Sequence, residues 1–204
     1  TITDSDLTGL DVLIPGGKSI TGKISNGDSG VPNVCITAFK TSDSDMGWGK
    51  WTSSSCTGST GEYSLRGLEN GNYKIRIEPS QASDYMPGFY SSNGTPVRKY
   101  EDGSLLTVND GSATVTALTQ ALQVGPKFTA TAVDGATPIP NICVNAIRKT
   151  DDYSWGEFGG SSCSGQDGKI SLRGLAAGSY RFQVNPMAGD YRNGWYRTGS
   201  ATTQ

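Results

Sequence analysis

The sequence predicts an all-β protein made of two tandem antiparallel β-sandwiches, each closed by one internal disulfide. Three observations carry this. The chain repeats itself: WGKWTSSSCTGSTGEYSLRGL (48–68) returns as WGEFGGSSCSGQDGKISLRGL (155–175), 107 residues later. Short alternating stretches recur between Gly- and Asn-rich turns, at roughly the 8–12-residue spacing of sandwich strands, and no amphipathic helix is visible. Four cysteines occupy matching places in the two halves.

The repeat extends well beyond the opening match. VPNVCITAFK (31–40) matches IPNICVNAIR (139–148), GNYKIRIEPS (71–80) matches GSYRFQVNPM (178–187), and DYMPGFYSSNG (84–94) matches DYRNGWYRTGS (190–200). Order is kept throughout, so two homologous units of about 107 residues are expected. Residues 5–27 align with 113–135. Residues 1–18 therefore read as a leader strand resembling the tail of a preceding repeat. Residues 19–125 form repeat 1, and 126–204 form repeat 2 without its own last strand.

Within each repeat the strands follow from period-two alternation. In VCITAFK, Val34, Ile36 and Ala38 share a face. Tyr73, Ile75 and Ile77 point inward on the next long strand, as do Tyr180, Phe182 and Val184 in repeat 2. Tyr73 and Tyr180 are expected in the core with their hydroxyls bonded to nearby backbone. Phe89, Tyr90, Trp195 and Tyr196 are expected to pack. In 113–122, Val115 and Ala117 face one way and Leu118 and Leu122 the other, which predicts a buried or bulged strand. GSTGEY and SGQDGK are turns, where glycine supplies positive φ at little cost.

Four cysteines allow three pairings. The repeat selects Cys35–Cys56 with Cys143–Cys163, because each unit then carries the same bridge. Closing a loop of this size contributes about 3 kcal/mol in the chain-entropy model. A sandwich of about 100 residues with few apolar groups needs that support; only 34% of the chain is hydrophobic. A zinc site is disfavoured, since no CxxC pair is present. Disulfides place the chain in an oxidising compartment.

Composition excludes several classes. Seventeen basic and nineteen acidic residues leave no field to attract nucleic acid or anionic membrane. No apolar run approaches the ~20 residues of a membrane helix. Histidine is absent, which removes the commonest general base and metal ligand. No enzyme activity and no cofactor are expected.

At this point the residues resemble a known family. The series GVPNVCITAFKT, SSCTGSTGEYSLRGL and ENGNYKIRIEPS is similar to the carboxypeptidase regulatory-like domain, among the transthyretin-like (prealbumin-like), Ig-like β-sandwiches. The second half shows the same series, and DYMPGFYSSNG is similar to an aromatic run of secreted bacterial members. The chain departs from the pattern at Gly58 and Gly165, where the family usually has Asp, and in having these cysteines. Relatives that form Lys–Asn isopeptide bonds need an early-strand lysine; Lys23 stands there in repeat 1, but Thr131 in repeat 2. The resemblance implies a non-catalytic accessory or structural module at a bacterial cell surface.

Two functions follow as expectations. The first is a structural or assembly module of a surface fibre, pilus-like filament or adhesin stalk. Its candidate strand donor is Leu7, Leu10, Leu13 and Ile14, and its partners are copies of itself or flanking repeats, head to tail. The alternative is a carbohydrate- or protein-binding module using Trp48, Trp51, Trp155 and Phe158 on the hairpins between paired cysteines; aromatics on such loops stack on sugars or anchor partners, or else fold back over a sandwich edge. Asp43, Asp45, Asp151 and Asp152 lie on the same loops. Two carboxylates on a turn can hold calcium with backbone carbonyls, but the spacing does not match an EF-hand loop, and no metal is assigned. Arg66 and Arg173, after Ser-Leu in both repeats, are expected in a salt bridge or on a backbone carbonyl.

Overall fold

The computed structural model describes residues 13, 15–41, 49–111, 114–150, 155–187, 189–197 and 200–202. All its regular elements are strands. The first sandwich contains β1 (Lys18–Ser25), β2 (Val34–Lys40), β3 (Lys50–Cys56), β4 (Glu62–Leu68), β5 (Gly71–Pro79), β6 (Gly88–Phe89), β7 (Leu106–Val108), β8 (Thr114–Thr116) and β9 (Gln120–Ala121). One sheet runs β3-β2-β5, with β6 and β7 both on the far edge of β5. The other runs β4-β1, with β8 and β9 along the second edge of β1. Pairing is antiparallel except at β8 and β9, which run parallel to β1.

The second sandwich contains β10 (Phe128–Thr131), β11 (Val133–Asp134), β12 (Thr137–Pro138), β13 (Ile142–Arg148), β14 (Glu157–Cys163), β15 (Lys169–Leu172), β16 (Tyr180–Pro186), β17 (Gly194–Arg197) and β18 (Ser200–Thr202). Its larger sheet is β14-β13-β16-β17-β18, and its smaller sheet is β10-β15 alone. β11 and β12 pair with each other in a short hairpin.

The repeat read from the sequence is a repeat of register. Cys35 sits directly opposite Cys56, and Cys143 opposite Cys163. Both pairs are bonded as expected, with Cα atoms 3.9 Å apart. Both hairpins carry a bulge at the same step, Ala38/Phe39 and Ala146/Ile147. Asn33 and Asn141 both take positive φ after a Pro, a conformation asparagine tolerates better than most residues. The buried hydroxyl of Thr57 donates to Val31 O and accepts from Val34 N; Ser164 does the same with Ile139 O and Ile142 N. The Tyr73 hydroxyl donates to Glu69 O and the Tyr180 hydroxyl to Ala176 O, again as expected.

The cores differ in coverage. Ile20, Tyr73, Ile75 and Ile77 are fully buried in the first, along with Val34, Ile36, Leu65 and Leu68. The matching Phe128, Tyr180, Phe182 and Val184 are only partly buried in the second. Phe128, Phe182 and Tyr196 instead gather into a half-covered aromatic group. Phe89 and Tyr90 pack inside, whereas Tyr196 is exposed.

The 113–122 strand is interrupted, as its pattern suggests. Leu122 does not face opposite Ala117 as its pattern predicts: the break between β8 and β9 resets the alternation, so Ala117 and Leu122 both face inward while Leu118 faces solvent. Between them Gln120 is fully buried: its amide nitrogen donates to Ser91 O, and its oxygen accepts from Ser91 N. This side chain ties the last strand to the loop after β6. Gln120→Leu strands two buried backbone groups, and should cost about 3 kcal/mol in urea unfolding. A loss under about 1 kcal/mol would show that the bridge contributes little.

Candidate functional site

Three surfaces deserve comparison: the aromatic hairpins, the second edge of β10, and the junction between the sandwiches. On the hairpins, Trp51 is 60% exposed, Phe158 59% and Trp155 83%. They do not fold back over a sandwich edge. Trp48 and the four loop acids Asp43, Asp45, Asp151 and Asp152 lie outside the described residues. Among the described residues no group of three or more potential metal ligands comes together. An open groove of about 530 Å³ lies beside Lys23, Glu62, Tyr63, Ser55 and Thr116, next to the Cys35–Cys56 bridge. Thr21, Ser64 and Thr119 also line it. Burial pushes the Tyr63 hydroxyl well above the ordinary tyrosine range, so it stays protonated there.

The edges of β1 and β10 are equivalent. Ile20, Thr21, Gly22 and Lys23 face Leu65, Ser64, Tyr63 and Glu62; Phe128, Thr129, Ala130 and Thr131 face Leu172, Ser171, Ile170 and Lys169. On its other side β1 receives β8 and β9, with Ala117 N donating to Thr21 O and Leu122 N to Ser25 O. On that side β10 has no strand partner among the described residues. An unpaired strand edge is a template for another strand.

The alignment of 5–27 with 113–135 can now be placed on this register. Leu7 and Ile14 fall at the positions of Val115 and Leu122, which pack on the core. Leu10 and Leu13 fall at Leu118, which is exposed, and Ala121, which is half-buried. Val12 falls at buried Gln120. Gly9 falls at the position of buried Ala117. Leu13 is exposed; Leu7, Leu10 and Ile14 lie outside the described residues.

At the junction, the 123–126 link is held between two turns. Met86 N donates to Gln123 O, Gly125 N to Asp84 O, and Leu175 N to Pro126 O. Backbones approach too closely for side chains. A Cβ at Gly125 would lie 2.3 Å from Leu175 O, and one at Gly174 would lie 2.3 Å from Tyr85 O. Two ion pairs cross the joint. Arg173 Nη1 lies 2.9 Å from Asp84 Oδ1, and Arg98 Nη2 reaches both Glu157 carboxylate oxygens at 2.7 and 2.8 Å. These side chains are half-exposed, so each pair contributes ~1 kcal/mol or less; they set orientation more than strength. Arg173 is thus in the salt bridge expected for it, with a partner that no sequence pattern named. Arg66 is exposed and, among the described residues, bonds locally, Nε donating to Ser64 Oγ at 3.3 Å.

No family model matches the chain, and no curated protein does. Solved structures similar to it include a streptococcal ancillary pilin, 14% identical with a TM-score of 0.36, covering 92% of this chain and 59% of that one. The Bacillus anthracis TIE protein is 14% identical with a TM-score of 0.34, covering 89% of this chain and 31% of that one. The Lactobacillus rhamnosus GG shaft pilin is 10% identical with a TM-score of 0.37, covering 91% and 92%. The chain therefore spans well under two thirds of the first two. The fold stands on strand pairing and register, not on these likenesses.

The junction gives a direct comparison. Gly174 and Gly67 are matching glycines with φ of 62° and 73°. Only Gly174 faces backbone across a joint; a Cβ at Gly67 meets nothing within 4 Å. Both alanine variants bear the left-handed penalty of about 1–2 kcal/mol. Gly174→Ala should also undock the sandwiches, which small-angle scattering of dilute protein reads as a larger maximum dimension. Equal scattering from Gly67→Ala and Gly174→Ala would refute this role of the close approach.

Proposed function

We propose that this chain is a non-catalytic structural module of a bacterial extracellular fibre or stalk, joined head to tail by β-strand complementation. In this reading residues 1–18 are a donor strand, 19–125 one repeat and 126–204 a second repeat that receives a donor. The observation that carries it is the contrast in coverage. Positions fully buried where β8 and β9 line β1 are half-open where β10 has no such partner among the described residues. Residues 5–16 read like the segment that does the covering. Strand addition supplies main-chain hydrogen bonds along the edge and side-chain pockets beneath it. Because the donor and acceptor lie on different surfaces, the contact is heterologous and propagates.

The two disulfides support a site in an oxidising, extracellular compartment. The resemblance to carboxypeptidase regulatory-like, transthyretin-like domains agrees with that site and with the absence of any nucleophile–base motif. No helix among the described residues is long and apolar enough to cross a membrane. A second reading, a glycan- or protein-binding accessory module, is favoured by the exposure of Trp51, Trp155 and Phe158. Quenching of tryptophan fluorescence across a glycan panel reads it out separately, and a silent panel would count against it.

The test of the assembly reading is size against concentration. Light scattering of the full chain should show oligomers growing as concentration rises. Deletion of residues 1–14 should leave a monomer with an unchanged β-sheet spectrum. A full chain that stays monomeric at millimolar concentration, or assembly that survives the deletion, would overturn the reading.

A further inference from the structure

The two halves of the joint between the sandwiches each recur on the other sandwich, at 66–68 and 190–192. On the leading face of the first sandwich, Arg66, Gly67 and Leu68 stand where the second sandwich has Arg173, Gly174 and Leu175. The backbone there is already shaped in the same way. A Cβ at Gly17 would lie 2.5 Å from Gly67 Cα, as Gly125 crowds Gly174. Lys18 pairs with Leu68 in register, as Leu175 N binds Pro126 O. Gly67 keeps the positive φ of Gly174 while open space lies before it.

The complementary half lies on the second sandwich. Asp84-Tyr85-Met86, the loop that fills the internal joint, matches Asp190-Tyr191-Arg192. In the first sandwich Tyr85 bridges to Val124 and packs on the core. Tyr191 is exposed instead, its hydroxyl 3.3 Å from Asp134 Oδ2. Asp190 is exposed, and Arg66 is exposed with opposite charge.

We infer that the internal joint is a template for a joint between copies. The 190–192 loop of one copy docks on the leading face of a second copy, and Asp190 pairs with Arg66 as Asp84 pairs with Arg173. The inference rests on the strand-complementation reading, and it names the surface that this reading brings together. A donor strand in the β10 edge is followed at once by Gly17 and Lys18. It therefore sets the leading face of the second copy against the 190–192 loop, as β9 sets Gly174 against Tyr85. The second ion pair is not repeated: Lys50 stands where Glu157 does. The joint between copies therefore keeps one of the two ion pairs, and Arg66–Asp190 carries its charge selectivity.

Sedimentation velocity on the full chain tests this with Arg66→Glu and Asp190→Arg, both at exposed positions where folding is checked by circular dichroism. Each variant alone faces like charges at every joint and should associate about tenfold more weakly than wild type, a loss of ~1.4 kcal/mol. An equimolar mixture of the two restores opposite charges at every contact between unlike variants, in both orders. It should recover association to within about threefold of wild type. Deletion of residues 1–14, run in parallel, reports on the strand reading by itself. If the deletion abolishes association while the charge variants and their mixture match wild type, strand exchange stands and this joint is wrong. If wild type does not associate, both fail. Weakened singles that the mixture does not rescue would also overturn the pairing.

Discussion

The first strand of each sandwich has two edges, and the structure depends on what fills the second. Backbone N–H and C=O groups along a strand must be paired or hydrated. A sheet of two strands also covers less of the core beneath it than a sheet of three or four. In the first sandwich β8 and β9 meet both needs at once, and a fully buried Gln120 anchors them to the neighbouring loop. Ile20, Tyr73, Ile75 and Ile77 are buried as a result. In the second sandwich, where β10 has no second strand partner among the described residues, the same positions are partly open and Phe128, Phe182 and Tyr196 form a half-covered aromatic group.

The disulfides act at the opposite side of the same problem. Each joins directly opposed residues of the two strands that carry the aromatic hairpin. The loops they close span 21 and 20 residues, so about 3 kcal/mol each is available from the unfolded state. That support does not depend on whether the second edge is filled. It lets a sandwich with a thin second sheet keep its hairpin register, which an open edge alone would leave prone to slip.

Much of this was legible in the sequence because repetition is a strong constraint. Matching positions predicted both bridges, and Gly-x-Tyr spacing predicted the backbone-bonded hydroxyls of Tyr73 and Tyr180, though only Tyr73 is fully buried. The mixed facing of Val115, Ala117, Leu118 and Leu122 pointed to an irregular strand. Other features leave no such trace. The parallel direction of β8 and β9 depends on long-range pairing that periodicity does not encode. Asp84–Arg173 and Arg98–Glu157 join residues 89 and 59 positions apart, and charged side chains on turns look alike whether solvated or paired. By alignment Leu7 and Ile14 match core-facing Val115 and Leu122, while Leu10 and Leu13 match exposed Leu118 and half-buried Ala121.

We propose that the second edge of β10 accepts a strand like 113–124. Hydrogen–deuterium exchange of the 126–133 segment, with and without a synthetic peptide of residues 5–17, tests it most directly. The chain lacking residues 1–14 serves as acceptor. The account predicts that the peptide slows exchange across β10, and that a peptide with Leu7, Val12 and Ile14 changed to Ser does not. Unchanged exchange at saturating peptide, or equal protection by both peptides, would contradict it.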